Sequence, residues 1–280
     1  LSRLDRPIGW QLLYLPCLMG IALAETEEGF WPDDARLAVL MLIGAIAMRG
    51  AGCTWNDILD RDIDAKVART ALRPIPAGQV SVRMALAWMA VQCLVGLLVL
   101  LALPRVAQWT ALGSIPLVAA YPLMKRITWW PQAWLGLCFS WGALVSVAAV
   151  RGAWTMEAVL LFAGCAAWTI AYDTIYALQD AEDDALVGVR STARLFGPRW
   201  RGWTAGFYLV ALALWAAAAS VAGAPLWTGL ALGGVGALMI WPMLERIEDA
   251  TPGSALAAFR ANAVIGLAVV AALALPGAWR

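Results

Sequence analysis

Nine times along this chain a run of roughly 20 mostly apolar residues recurs, the length a helix needs to cross about 30 Å of hydrocarbon. The runs fall at residues 8–24, 36–55, 84–103, 107–123, 132–150, 156–178, 203–222, 226–244 and 259–277. Turn and breaker residues separate them: Pro32, Pro104, Pro131, Gly197-Pro198, Gly223 to Pro225, and Pro252-Gly253. A helix satisfies its own backbone within lipid, so the pattern predicts an all-α membrane protein with nine transmembrane helices, one domain over 1–280. A mean hydropathy of +0.73 with 14% charged residues leaves too little polar surface for a soluble fold. The opening LSRLDRPIGW leads straight into the first run without the apolar core and cleavage site of a signal peptide, and is expected to belong to the fold.

Charge sets the orientation. With the N-terminus cytoplasmic, most of the 20 Lys and Arg fall on that side. Arg36, Arg105, Arg151 and Arg280 fall opposite, and Arg49 lies inside the second span. This bias predicts a cytoplasmic N-terminus. A net charge of +1 with no basic footprint argues against nucleic acid as a partner. The absence of histidine excludes His-ligated haem, His-zinc sites and His-based triads. The five cysteines show no CxxC spacing, so they are expected to pack in the interior rather than form disulfides or bind metal.

Acids gather where the second span ends. In NDILDRDID, Asn56, Asp57, Asp60 and Asp64 sit at helical offsets 0, 1, 4 and 8 and share one face, while Asp62 points away. Carboxylates packed this way repel one another unless a cation lies between them. Oxygen-only ligands at a water-accessible place favour Mg²⁺, which uses one or two carboxylates and completes its shell with water and phosphate oxygens. A phosphate or diphosphate substrate follows from that preference. The second cluster closes the sixth span, with Asp173, Asp180 and Asp184 at offsets 0, 7 and 11, and Glu182 and Asp183 beside them. Basic residues follow both clusters, Lys66 and Arg69 the first and Arg190 the second, as in a two-sided cage for a metal-bridged diphosphate. A solvated helix cap is the ordinary explanation of one such cluster. Two on one side point to function, because ionisable groups at a membrane are costly and rarely idle.

NDILDRDID resembles the NDxxDxxxD motif, and DAEDD the DxxxD motif, of the UbiA superfamily of intramembrane aromatic prenyltransferases. The likeness extends over RLDRPIGWQLLYLP, MRGAGCTWNDILDRDID, RTALRPIPAGQVS, YPLMKRITWWPQ and YDTIYALQDAEDDALVGVRSTARLFG. It is greatest to the 4-hydroxybenzoate polyprenyltransferase branch. The resemblance implies nine helices around a central cavity and transfer of a polyprenyl group from its diphosphate to C3 of 4-hydroxybenzoate, in ubiquinone biosynthesis. It also implies two Mg²⁺ ions held by Asn56, Asp57, Asp60 and Asp64 on one side and Asp180 and Asp184 on the other, with Asp60, Asp64, Asp180 and Asp184 central to catalysis. Lys66, Arg73, Lys125 and Arg190 become candidates for the departing pyrophosphate.

The acceptor carboxylate needs a cation. Arg49, two turns before Asn56 on the same face, is the first candidate, Arg126 the second and Arg6 the third. The competing role for Arg49 is an ion pair with a motif aspartate. Asp173, Tyr121 and Tyr172 are candidates to line the aromatic pocket, and most of the 17 tryptophans are expected at the membrane interfaces. Other acceptors (a naphthoate, homogentisate, a haem precursor) remain open. So does a cation-coupled transporter, although transporters place their coupling sites nearer the bilayer midplane. The implied location is a bacterial inner membrane or a mitochondrial inner membrane.

Overall fold

The computed structural model describes residues 1–65, 70–186, 188–247 and 251–278, and these hold helices, turns and short connections with no strand. Lys66 and Arg69 lie outside the described residues, as do the side chains of Glu182 and Asp183. The chain runs α1 (Ile8–Ala24), α2 (Pro32–Leu59), α3 (Arg61–Asp64), α4 (Val82–Leu101), α5 (Arg105–Leu112), α6 (Ile115–Ile127), α7 (Pro131–Arg151) and α8 (Met156–Ala177). A 3₁₀ turn (Leu178–Asp180), α9 (Ala181–Leu186), α10 (Thr192–Phe196) and α11 (Trp200–Val221) follow. The last elements are α12 (Leu226–Val235), a π turn (Gly236–Ile240), α13 (Trp241–Glu245) and α14 (Pro252–Ala278).

Among the described residues, seven helices are long and apolar enough to cross a membrane, and α1 adds a shorter apolar helix. The expected fourth span is two helices, α5 and α6, broken at Gly113-Ser114. Pro116 opens α6 and Pro122 interrupts it, removing two backbone donors. Indoles donate into the same segment. Trp141 Nε1 donates to the Thr110 carbonyl at 2.7 Å, Trp134 Nε1 to that of Leu117 at 2.8 Å and Trp55 Nε1 to that of Ala119 at 3.1 Å. Trp154 Nε1 donates to Thr110 Oγ1 at 2.8 Å. These four tryptophans bond to a broken span rather than simply marking an interface.

Helices in lipid gain little from the hydrophobic effect and hold together by close packing and interior hydrogen bonds. The core follows that rule. α8 lies between α7 and α11, and α14 returns to pack on α1. Gly136 on α7 lets the backbone of α8 approach, since a Cβ there would lie 2.9 Å from the Ala166 carbonyl oxygen. Buried Asn262 joins three helices: its Oδ1 accepts from Trp168 Nε1 at 2.7 Å and from the Tyr208 hydroxyl at 2.9 Å. Cys17, Cys53 and Cys165 are buried as expected, Cys138 is half-buried, and Cys93 is exposed on α4.

Glu25, just past α1 at the end of the bundle away from the acidic clusters, is 5% exposed. Burial, and then the Asp34 carboxylate, push its carboxyl from 4.5 up to about 7, against the pull of Arg151. Between those values the folded protein holds a proton that the unfolded chain has released, so stability falls as pH rises through this window. Glu25→Gln is therefore expected to raise the apparent melting temperature in detergent at pH 8 and to change it little at pH 4. An unchanged value at pH 8 would mean that Glu25 ionises without penalty.

Candidate active site

The first acidic cluster begins in α2 and outlasts it. The Asp60 amide donates to the Asn56 carbonyl at 2.9 Å and the Asp64 amide to the Asp60 carbonyl at 2.8 Å, so helical register continues into α3. Asp57, Asp60 and Asp64 stay on one face, and all three are buried. Asp62 faces away as expected, exposed and, among the described residues, paired with its neighbour Arg61.

Cations hold each buried carboxylate. Arg3 Nη2 lies 2.6 Å from Asp57 Oδ1 and Arg73 Nη1 3.2 Å from the same oxygen. Arg73 Nη1 also reaches Asp64 Oδ2 at 2.5 Å. Lys125 Nζ pairs with Asp60 Oδ2, and Arg126 Nη2 lies 2.9 Å from Asp60 Oδ1. Burial still pushes the Asp64 carboxyl above its usual range, against the pull of Arg73 and Lys125. Arg3 carries no helical-spacing signal, lying 54 residues before its partner, and sequence reasoning missed it. Its backbone sits at φ +51°, the one positive value outside glycine among the described residues.

Lys125 also joins the second cluster to the first. Its side chain grips Asp60 while its carbonyl accepts the Arg190 amide at 3.0 Å. Arg190 Nη1 donates to the Ile127 carbonyl at 2.7 Å, so this guanidinium caps α6. Asp180 ends the 3₁₀ turn after α8 and Asp184 lies in α9, whose exit is tied down by the Val189 amide on the Asp184 carbonyl at 2.9 Å. The two acidic segments therefore meet at one end of the bundle.

Behind them lies a cavity of about 1050 Å³ between α1, α2, α6, α7, α8 and α14. That volume is at the upper end for a small-molecule site. Its mouth carries Arg3, Arg6, Asn56, Arg73 and Lys125, and its far part is apolar, with Leu13, Met41 and Val145. Of the candidate acceptor residues, Arg49, Tyr121, Tyr172 and Asp173 line it, whereas Arg126 sits outside on Asp60. Arg49 makes no ion pair among the described residues, so the expected alternative of a bond to a motif aspartate is not what the structure has. Its guanidinium lies 5.4 Å from the centre of the Phe139 ring. The Tyr172 hydroxyl is buried without a hydrogen-bond partner among the described residues.

The donor set fits Mg²⁺ in kind: carboxylate oxygens, with the Asn56 amide on the cavity wall. Among the described residues no three acids or cysteines converge as a ready cage. Mg²⁺ does not need one, because phosphate and water oxygens normally fill most of its shell.

The sequence pattern of the UbiA prenyltransferase family matches residues 13–275. The chain is similar to the mitochondrial 4-hydroxybenzoate polyprenyltransferase of Drosophila melanogaster, 49% identical over 208 residues, which are 74% of this chain and 53% of that protein. The match therefore spans about half the length of the fly protein. The human protein of the same name is 42% identical over 281 residues, all of this chain and 75% of the relative. In three dimensions the fold matches a UbiA homologue from Aeropyrum pernix K1 with a TM-score of 0.71 and 25% identity, over 95% of this chain and 97% of the other. It also matches one from Archaeoglobus fulgidus bound to GPP and Mg²⁺, at a TM-score of 0.69 and 19% identity over 98% of each.

Proposed function

This chain belongs to the UbiA prenyltransferase family, and from that premise we propose that it transfers a polyprenyl group from a polyprenyl diphosphate to C3 of 4-hydroxybenzoate, releasing pyrophosphate. The observation that carries the reading is a cavity with two chemically different regions. At its mouth, Arg3, Arg73 and Lys125 pair with the buried carboxylates of Asp57, Asp64 and Asp60, a set of charges that suits a diphosphate with its counter-ions; deeper in, Arg49 makes no ion-pair contact among the described residues, as a substrate carboxylate requires. An arginine held in a membrane span costs about 2.5–3.5 kcal/mol unless it is matched. A carboxylated acceptor supplies the match.

In this reading Asn56, Asp57, Asp60, Asp64, Asp180 and Asp184 would hold Mg²⁺, which would supply positive charge against the diphosphate. Two ions, one for each acidic segment, suit the division of the ligands. Arg73 and Lys125 exchange their carboxylate partners for phosphate oxygens, and Arg3 is a third cation within the same reach. Arg190 acts on the loop instead, by fixing it to the end of α6. Tyr121, Tyr172 and Phe139 surround the aromatic ring, and the apolar far wall keeps water from the allylic carbon. The N-terminus and both acidic segments face the cytoplasm or the mitochondrial matrix, and the lipid bilayer holds the tail of the prenyl donor. The membrane is a bacterial inner membrane or a mitochondrial inner membrane, and the product enters ubiquinone biosynthesis.

The test is transfer in detergent with Mg²⁺, geranyl diphosphate and labelled 4-hydroxybenzoate. Prenylated product from the wild type and none from Asp180→Asn is expected. Pyrophosphate release without labelled product would overturn the acceptor, and no turnover of any allylic diphosphate would overturn the reaction.

Gly9 offers a separate check on Arg49. A Cβ at Gly9 would lie 2.6 Å from Arg49 Nε and 2.9 Å from Nη2. Gly9→Ala is expected to push the flexible guanidinium aside and raise the acceptor KM roughly tenfold, about 1.4 kcal/mol. The KM for the diphosphate should hardly move; equal increases in both would mean that α1 itself had shifted.

A further inference from the structure

We propose that Asp173 is the proton acceptor for the hydroxyl of the aromatic substrate. The inference rests on the acceptor reading above and assigns chemistry to a group that the diphosphate site does not use. Asp173 lies on α8 about two turns before Asp180, lines the cavity, and has no hydrogen bond or ion pair among the described residues. A carboxylate is rarely left so in a membrane interior. Arg49 is the charge it feels, yet the two are not in ion-pair contact. A free guanidinium and a free carboxylate facing one cavity are complementary to a molecule with a carboxylate at one end and an acidic hydroxyl at the other. 4-Hydroxybenzoate has that polarity, with one group for Arg49 and the other for Asp173.

The electron flow closes. The Asp173 carboxylate takes the O–H proton, and the oxygen pair pushes into the ring. C3 then bonds to the allylic carbon as the allylic C–O bond breaks and its electron pair leaves with the diphosphate. The C3 hydrogen departs as a proton to the pyrophosphate, and its C–H pair restores the aromatic ring. The phenolate oxygen recovers its proton from Asp173, which returns to its starting state.

The test is Asp173→Asn, a near-isosteric change, measured as kcat and KM for 4-hydroxybenzoate from pH 6 to 10. Transfer by the variant is expected to fall about 10²-fold or more in kcat at neutral pH, the usual size of a general-base contribution. It should then climb with pH towards the phenol's own ionisation, near 10 for a tyrosine-like phenol, because hydroxide does in solution what Asp173 does in the site. Wild type should rise far less over that range. Arg49 from α2, Tyr121 from α6 and Tyr172 on α8 itself are near enough to interact with Asp173, and Cys53, Cys138, Tyr176 and Arg260 line the same cavity. They are common to both proteins and cancel in the comparison. Binding of an inert thiodiphosphate analogue, followed by thermal shift, reports whether the variant is folded. A kcat within threefold of wild type would overturn the proposal, as would a loss that pH does not restore in a variant that still binds the analogue. Failure of wild type to prenylate 4-hydroxybenzoate would instead sink the acceptor reading, and this proposal with it.

Discussion

Asp60→Asn is expected to lower prenyl transfer by about 10²- to 10³-fold, the cost of losing one preorganised electrostatic group at a reacting centre. Asp60 is fully buried and engages two cations at once, Lys125 and Arg126. The amide keeps the shape but not the charge, so it weakens the ligand for Mg²⁺ and releases Lys125 from its position at the cavity mouth. The half-saturating Mg²⁺ concentration should rise with the fall in rate, which separates a metal ligand from a merely structural carboxylate. Lys125 also carries the Arg190 contact through its carbonyl, so a melting curve is needed alongside the rate. Activity within threefold of wild type would remove Asp60 from the site.

Arg49→Ala should produce two opposite effects. Truncating one member of a buried charge pair costs about 2–4 kcal/mol, so the acceptor KM should rise roughly 30- to 1000-fold while that of the diphosphate stays within a few-fold. Without substrate, however, the arginine makes no ion-pair contact among the described residues, and although its field reaches Asp173, its removal relieves the protein of a charge held inside a span. The variant is expected to melt at a higher temperature than wild type, a trade of stability against binding that functional sites commonly show. Arg49→Lys should recover only part of the affinity, because an ammonium cannot present the paired donors of a guanidinium to a carboxylate. Equal losses for both substrates, or a destabilised variant, would place Arg49 in a structural role.

Much of this was legible from one chain because membranes simplify the code. Run length identified the long helices, and the period of 3.6 placed Asp57, Asp60 and Asp64 on one face with Asp62 off it. The same period put Arg49 on the cavity side. Partners distant in sequence were not legible. Nothing near Arg3 foretells Asp57, and nothing in the YPLMKR stretch foretells that Lys125 and Arg126 both grip Asp60. Such pairs depend on how helices are arranged, which spacing within one helix does not encode. Hydropathy likewise reported 107–123 as one span, since a sum over a window is blind to a break at Gly113-Ser114.

That break bears on how the protein is made. Residues 105–127 reach the membrane before Trp134, Trp141 and Trp154 have been synthesised; the first two indoles donate to its backbone carbonyls and the third to the Thr110 hydroxyl. Of the four tryptophans concerned, only Trp55 precedes the segment. Backbone that is not helical survives at membrane depth only when protein or water satisfies it. The segment is thus a late settler: it reaches its native form when α7 arrives beside it, and the cavity wall formed by α6 is completed from the C-terminal side.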